Sequence, residues 1–283
     1  MKEVSWVATE LTQLTESEAR HFRDQGHLIR QAVVRDNELA ELRTTVEETC
    51  ARIVEIASTK GKEEVFGGAV AFTEIPELGI RNLVWEGANL DVVKVVEPMM
   101  QVDERLRALW GHPTLVELAR MALGVTDVAQ FTDKFNAKRA NAGGEFLWHQ
   151  DHPFWYSIIR ERAKETVTLG LFLDDATSEN GALVVVPGSH RGPVPRQKTA
   201  EDVMVRYHAD EAHIDDSGAV VAEVPAGGVL VFGPLLLHRS GPNMTDRDRR
   251  VLLLTYQPAG RLPLAEFDYE AALLSEQWMD ELP

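Results

Sequence analysis

At Val128 the chain changes from helical spacing to short β-rich segments, and this change restricts its fold more than any other feature. The segments fall at 130–136, 146–151, 166–173, 182–186, 219–224, 229–232, 235–238 and 251–257, separated by Gly, Pro or Asn. About eight strands of this length are what a double-sheet jelly roll contains. Asn180-Gly181 is a tight-turn pair between two of them, and Pro225-Ala226-Gly227-Gly228 turns the chain into Val229-Leu230-Val231-Phe232.

Before Val128 the reading is mostly helical. Thr15 can cap a helix, with Glu18 three residues later as in a capping box, and Gly26 ends it. A strand follows at 27–34. Leu39, Leu42, Val46, Cys50 and Val54 then recur at helical spacing. Residues 60–91, rich in Gly and Glu, are too long for a plain connection and are expected to form a lid or binding loop. The stretch 93–123 reads as helix broken at Gly111-His112-Pro113. The predicted fold class is α+β, mainly β: a double-stranded β-helix (jelly roll) with N-terminal helices packed on one sheet. No repeat or linker divides the chain. One domain over 1–283 is expected, with a mainly helical 1–127, a jelly-roll core at 128–260 and a C-terminal tail at 261–283.

Composition narrows the function. A 283-residue chain that is 44% hydrophobic can build one sizeable core. A net charge of −16 excludes a general nucleic-acid or anionic-membrane binder, which needs a basic footprint. The lone Cys50 cannot form an internal disulfide and sits at a core position of its helix. Acids, Thr and Gln occupy the first fourteen residues where a secretory signal needs an apolar run. No stretch reaches the ~20 apolar residues of a membrane span. A cytoplasmic protein acting on a small molecule is expected, with no nucleic-acid or membrane partner. No feature of the sequence sets an oligomeric state.

The chemistry centres on Phe146-Leu147-Trp148-His149-Gln150-Asp151-His152-Pro153-Phe154. Alternate side chains on a strand share a face, so His149 and Asp151 project together as a pair of metal ligands. His238, at the end of the apolar run Leu235-Leu236-Leu237, supplies a further imidazole. Two histidines and one carboxylate with open positions opposite are the ligand set of non-haem Fe(II) oxygenases. His152, one step from Asp151, should point away, which disfavours the alternative of a three-histidine zinc site.

Several elements fall in order: Phe135-Asn136-Ala137-Lys138, Trp148-His149-Gln150-Asp151, Glu179-Asn180-Gly181, Val186-Pro187-Gly188-Ser189-His190, and His238-Arg239-Ser240-Gly241-Pro242-Asn243 followed by Arg249. In this order and spacing the chain resembles the phytanoyl-CoA dioxygenase family of Fe(II)- and 2-oxoglutarate-dependent oxygenases, including its ectoine-hydroxylase branch. The resemblance implies His149, Asp151 and His238 as iron ligands, with 2-oxoglutarate as co-substrate and O2 as oxidant. It places Arg249, eleven residues after His238, on the far carboxylate of 2-oxoglutarate, where a guanidinium binds as a bidentate fork. Ser240 would donate to the same carboxylate, and Asn136 would contact the co-substrate near the metal. Of Arg249 and Arg250 only one can face the interior of an extended segment, and Arg249 shares parity with Val251 and Leu253.

For the substrate, the resemblance points to Trp155, with Phe154 beside it. Thr132 stands where ectoine hydroxylases carry a substrate-binding glutamine, a departure that argues against ectoine. The implied reaction is oxidation, most simply hydroxylation, of an unactivated C–H of a small or medium-sized metabolite, with release of succinate and CO2. Specialised-metabolite biosynthesis is one setting for it. Two alternatives stand beside it. A cupin-like hydrolase or isomerase would use the same ligands but has no need of Arg249 and Ser240; a non-catalytic binding jelly roll would not need the ligands at all.

Overall fold

The structure is a computed structural model that describes residues 15–60, 72–86, 89–198, 200, 205–267 and 281–282. Helix α1 (Glu16–Gln25) opens with the expected capping box: Glu18 N–H donates to Thr15 Oγ1 at 3.2 Å, and Thr15 N–H donates to Glu18 Oε2 at 2.8 Å. Gly26 closes it in the left-handed region at φ 82°. Strand β1 (His27–Arg30) leads to α2 (Asp36–Lys60), and Leu39, Leu42, Val46, Cys50 and Ile53 bury one face of that helix. Burial pushes the Cys50 thiol up to about 12, which makes it a core residue and no nucleophile.

The next stretch departs from the sequence reading. Strands β2 (Phe72–Ile75), β3 (Ile80–Glu86) and β4 (Asn89–Glu97) occupy the described part of 60–91 and run past it. They extend a sheet; residues 61–71 and 87–88 of the expected lid lie outside the described residues. Val93–Glu97, read as helix, is strand because its run of β-branched valines fits a pleated surface better than a helical one. The part before Val128 is thus less helical than expected. Its remaining helices are α3 (Glu104–Arg107) and α4 (Pro113–Leu123), the latter starting with Pro at its first turn and ending at Gly124.

The second half holds eight strands: β5 (Val128–Lys138), β6 (Phe146–His149), β7 (Val167–Phe172), β8 (Leu183–Val185), β9 (Val220–Ala222), β10 (Val229–Phe232), β11 (His238–Ser240) and β12 (Arg249–Pro258). Seven overlap the expected segments broadly, whereas the run expected as strand at 235–238 is turn and coil up to His238, where β11 begins. The larger sheet has the order β1-β10-β7-β12-β5-β4-β3-β2 and the smaller β6-β11-β8-β9, all pairs antiparallel. Two facing sheets of this kind form the predicted jelly roll. Period-two alternation sorts the large sheet's side chains between two cores. Leu252, Leu254, Phe135, Leu169 and Val231 face outward and pack with α2 and α4, while Val251, Leu253, Phe172, Leu230 and Phe232 face the smaller sheet across the roll.

An ion network ties α2 to that sheet. Glu47 accepts from Arg139 at 2.9 and 3.1 Å and from Arg250 at 2.8 Å, and Asp174 takes a fork of two 2.8 Å bonds from Arg250. Arg250 therefore points out of the roll and Arg249 into it, as the parity argument requires. The described parts of the C-terminal segment also pack back: Leu264 and Leu282 join Phe131 and Trp155 in a satellite core. Among the described residues no helix is long and apolar enough to cross a membrane.

Candidate metal centre

The smaller sheet places the two histidines directly opposite each other, His238 on β11 pairing with His149 on β6, their ring centroids 4.1 Å apart. Asp151 arrives by a different route from the one the sequence suggested. Strand β6 ends at His149, and Asp151 lies at the start of helix α5 (His152–Ile159) with helical backbone angles. Pro153 in the first turn favours this change from strand to helix. The Asp151 carboxylate still comes within 3.9 Å of His149 Nε2. One ligand atom from each of His149, Asp151 and His238 lies within 4.8 Å of the others, and no other such cluster occurs among the described residues.

The donor set fits a metal. Nδ1 of His149 lies 2.7 Å from the Leu147 carbonyl, and Nδ1 of His238 lies 2.9 Å from the Leu236 carbonyl. A carbonyl only accepts, so both rings carry their proton on Nδ1 and leave the Nε2 lone pair for an ion. Burial, and after it the neighbouring His238 and His208 rings, hold the His149 pKa well below its usual value, so the ring is neutral and ready to ligate. Two imidazoles and one carboxylate on one side leave adjacent coordination positions open, the arrangement suited to Fe(II).

Gln150, between the ligands, faces the opposite way and is 2% exposed. Its amide donates to the carbonyls of Leu235 and Gly192, and its oxygen accepts from Val194 N–H at 3.0 Å. These bonds tie the His149–Asp151 segment to the run that leads into His238. Parity along the segment was available to suggest that it turns away from the ligands, but nothing in the sequence announced its partners.

Arg249 stands at one end of the interior with its side chain 2% exposed. Nη2 donates to the Gly181 carbonyl at 3.1 Å, Nε is buried without a partner, and no carboxylate pairs with the guanidinium among the described residues. Burial lowers its pKa to about 10, so it stays charged. Gly181 permits this contact: at φ 81° a Cβ would meet the Gly241 carbonyl at 2.5 Å and Lys138 Cδ at 2.7 Å. Ser240 is buried two residues after His238. Asn136, opposite Val251 on β5, has a buried Oδ1 with no partner among the described residues. An unpaired buried cation and an unsatisfied buried acceptor are each costly, and an anionic ligand with a hydroxyl or water in train would relieve both.

The α5 helix separates the expected substrate contacts. Consecutive helical residues lie ~100° apart. Phe154 faces the metal cluster, its ring at 6.3 Å from His149 and stacked on Tyr207 at 4.5 Å. Trp155 turns into the satellite core, edge-on to Phe131 at 5.6 Å and 3% exposed. His152 is buried against Tyr156 and lies outside the cluster. Thr132 donates to Glu97 Oε1 at 3.0 Å. His208, which sequence reasoning passed over because it lies in an irregular segment, forms an isolated bridge with His149 and stands edge-on to it at 6.0 Å.

Fold and ligand cluster, together with the family match that follows, define a class, the 2-oxoglutarate-dependent non-haem iron dioxygenases of the double-stranded β-helix type. The phytanoyl-CoA dioxygenase (PhyH) family profile matches residues 22–251, and the chain belongs to that family. It is 33% identical over 196 residues to the L-proline trans-4-hydroxylase of Streptomyces griseoviridis, covering 63% of this chain and 71% of that protein. A probable alpha-ketoglutarate-dependent hypophosphite dioxygenase of Stutzerimonas stutzeri is 33% identical over 198 residues, 67% of each chain. Among solved structures, the carbocyclase SnoK from nogalamycin biosynthesis shares the fold with a TM-score of 0.65 at 20% identity, covering 95% of this chain and 94% of its own. EctD from S. alaskensis, with 2-oxoglutarate and 5-hydroxyectoine, does so at 0.63 and 21%, covering 92% and 83%.

Proposed function

We propose that this enzyme hydroxylates an unactivated C–H of a small or medium-sized metabolite in the cytoplasm, with His149, Asp151 and His238 holding Fe(II). The bound iron supplies the reaction with O2, one oxygen atom ending in the product alcohol and the other in succinate as 2-oxoglutarate loses CO2. The protein's residues do the rest. Arg249 takes the far carboxylate of 2-oxoglutarate, with Ser240 adding a hydroxyl donor, and Asn136 faces the co-substrate between that anchor and the metal. Phe154 and Thr132 bound the substrate side and help exclude water, while Trp155 holds α5 in place from the core.

The observation that carries this reading is the buried Arg249 guanidinium, without a carboxylate partner among the described residues, on the same interior wall as Asn136. A hydrolase or isomerase built on the same ligands has no use for such a cation. The test is turnover of 2-oxoglutarate to succinate by purified protein with Fe(II) and O2 but no substrate. Slow succinate release that vanishes in His149→Ala, Asp151→Ala and His238→Ala supports the assignment. Activity that survives these changes and disappears in His152→Ala would overturn it.

A further inference from the structure

Toward the end of β5 remote from Arg249, between Glu97, Thr132, Trp110 and Leu264, lies a cavity of about 310 Å3, at the small end of ligand sites. Its deep wall is Glu97, 6% exposed, at the end of β4. Oε1 accepts from Thr132 Oγ1 at 3.0 Å, and Oε2 accepts from Asn82 Nδ2 at 3.3 Å. Lys134 Nζ stands 3.7 Å from Oε2, an ion-pair distance too long for a hydrogen bond. A carboxylate has about four lone-pair sites, so Glu97 retains acceptor capacity toward the cavity. Burial opposes the Lys134 charge, yet the carboxylates of Glu97 and then Asp151 raise its pKa, so the ammonium stays charged beside Glu97.

The outer wall carries the opposite sign. Arg107 is exposed at the mouth and commits one N–H to the Gln101 carbonyl at 2.7 Å, its other donors being uncommitted among the described residues. Arg81 lines the same wall and is held by the carbonyls of Phe267 and Ala265. Trp110 and Phe131 supply apolar surface between the two ends.

We infer that the substrate is a small zwitterion, a free amino acid whose ammonium docks on Glu97 and whose carboxylate faces Arg107. This rests on the oxygenase reading above and names the substrate class for it. A buried carboxylate with spare acceptor capacity is best satisfied by a cationic N–H donor, and a guanidinium at the mouth by a carboxylate. The small volume and aromatic walls leave room for a short aliphatic skeleton.

The test is a thermal-shift series on the anaerobic Fe(II)/2-oxoglutarate enzyme with the twenty proteinogenic L-amino acids, their N-acetyl derivatives and their amides. One or more free amino acids should stabilise the enzyme saturably, and the two blocked forms should bind at least tenfold more weakly. Glu97→Gln should weaken the free amino acid at least tenfold while the visible absorption of the iron–keto acid chelate persists. Arg107→Gln, at an exposed position, should weaken the free acid and leave the amide unchanged, which keeps the idea testable if Glu97→Gln does not fold. Binding of no free amino acid, equal binding of blocked forms, or indifference to both substitutions would overturn the inference. Loss of the chelate absorption in the unsubstituted enzyme would instead strike the oxygenase reading itself.

Discussion

Arg249 and Arg250 are identical in composition terms and opposite in role because strand β12 alternates. Arg249→Ala should raise the 2-oxoglutarate KM at least tenfold, since a desolvated carboxylate left without its bidentate partner costs ~2–5 kcal/mol. Arg250 instead bonds Asp174 and Glu47. Arg250→Ala should leave that KM nearly unchanged and lower the melting temperature by loosening α2 from the sheet. Steady-state kinetics and thermal unfolding of the two variants separate these effects, and the reverse pattern would mean that the co-substrate is anchored elsewhere. A second buried cation, Lys138, lies across from Arg249 on β5. Burial, with Arg249 and Lys94 nearby, depresses its pKa from 10.5 to about 7. The unfolded chain then binds more protons than the folded one between those values, so stability rises with pH across that window and the cost of the buried charge is full below it. Lys138→Met should therefore raise the melting temperature at pH 6, and the gain should shrink by pH 10. A loss of stability at pH 6 would show that the ammonium is favourably paired.

At the level of elements, the metal motif is a strand end joined to a helix start. The two ligands could be read from sequence because His149 and Asp151 project to one face under either a strand or a strand-to-helix geometry. The neighbours could not: the family resemblance pointed to Trp155, whereas the turn of the helix gives the metal-facing position to Phe154. Pro153 was the available signal, a residue suited to a helix's first turn. Phe154→Ala should uncouple succinate formation from substrate oxidation while the fold survives. Trp155→Ala should cost ~3–5 kcal/mol of stability as a large core truncation, with coupling in the folded fraction nearly intact. Product-to-succinate ratios and urea unfolding decide this, and the reverse assignment would put Trp155 back on the substrate. Likewise β4 escaped the sequence reading because its valines also fit a buried helix face, and only its pairing with β3 and β5 resolves the ambiguity.

For the whole molecule, the jelly roll was legible because eight short alternating segments have few other ways to bury their apolar faces. The inward arginine followed from parity within that frame, and the ligands from the His-x-Asp spacing together with the family resemblance. What the sequence withheld was three-dimensional proximity: Glu97 meets Thr132 and Lys134 only because β4 pairs with β5. The central claim is that three ligands and one buried guanidinium assemble a single site for Fe(II) and 2-oxoglutarate. Anaerobic titration of Fe(II) into protein holding 2-oxoglutarate, followed by the visible absorption of the chelate, tests it most directly. The account predicts saturation at one iron per chain, no absorption in His238→Ala, and a chelate in Arg249→Ala that needs at least tenfold more 2-oxoglutarate. Absence of the absorption in the unsubstituted protein, or its full persistence in His238→Ala, would contradict it.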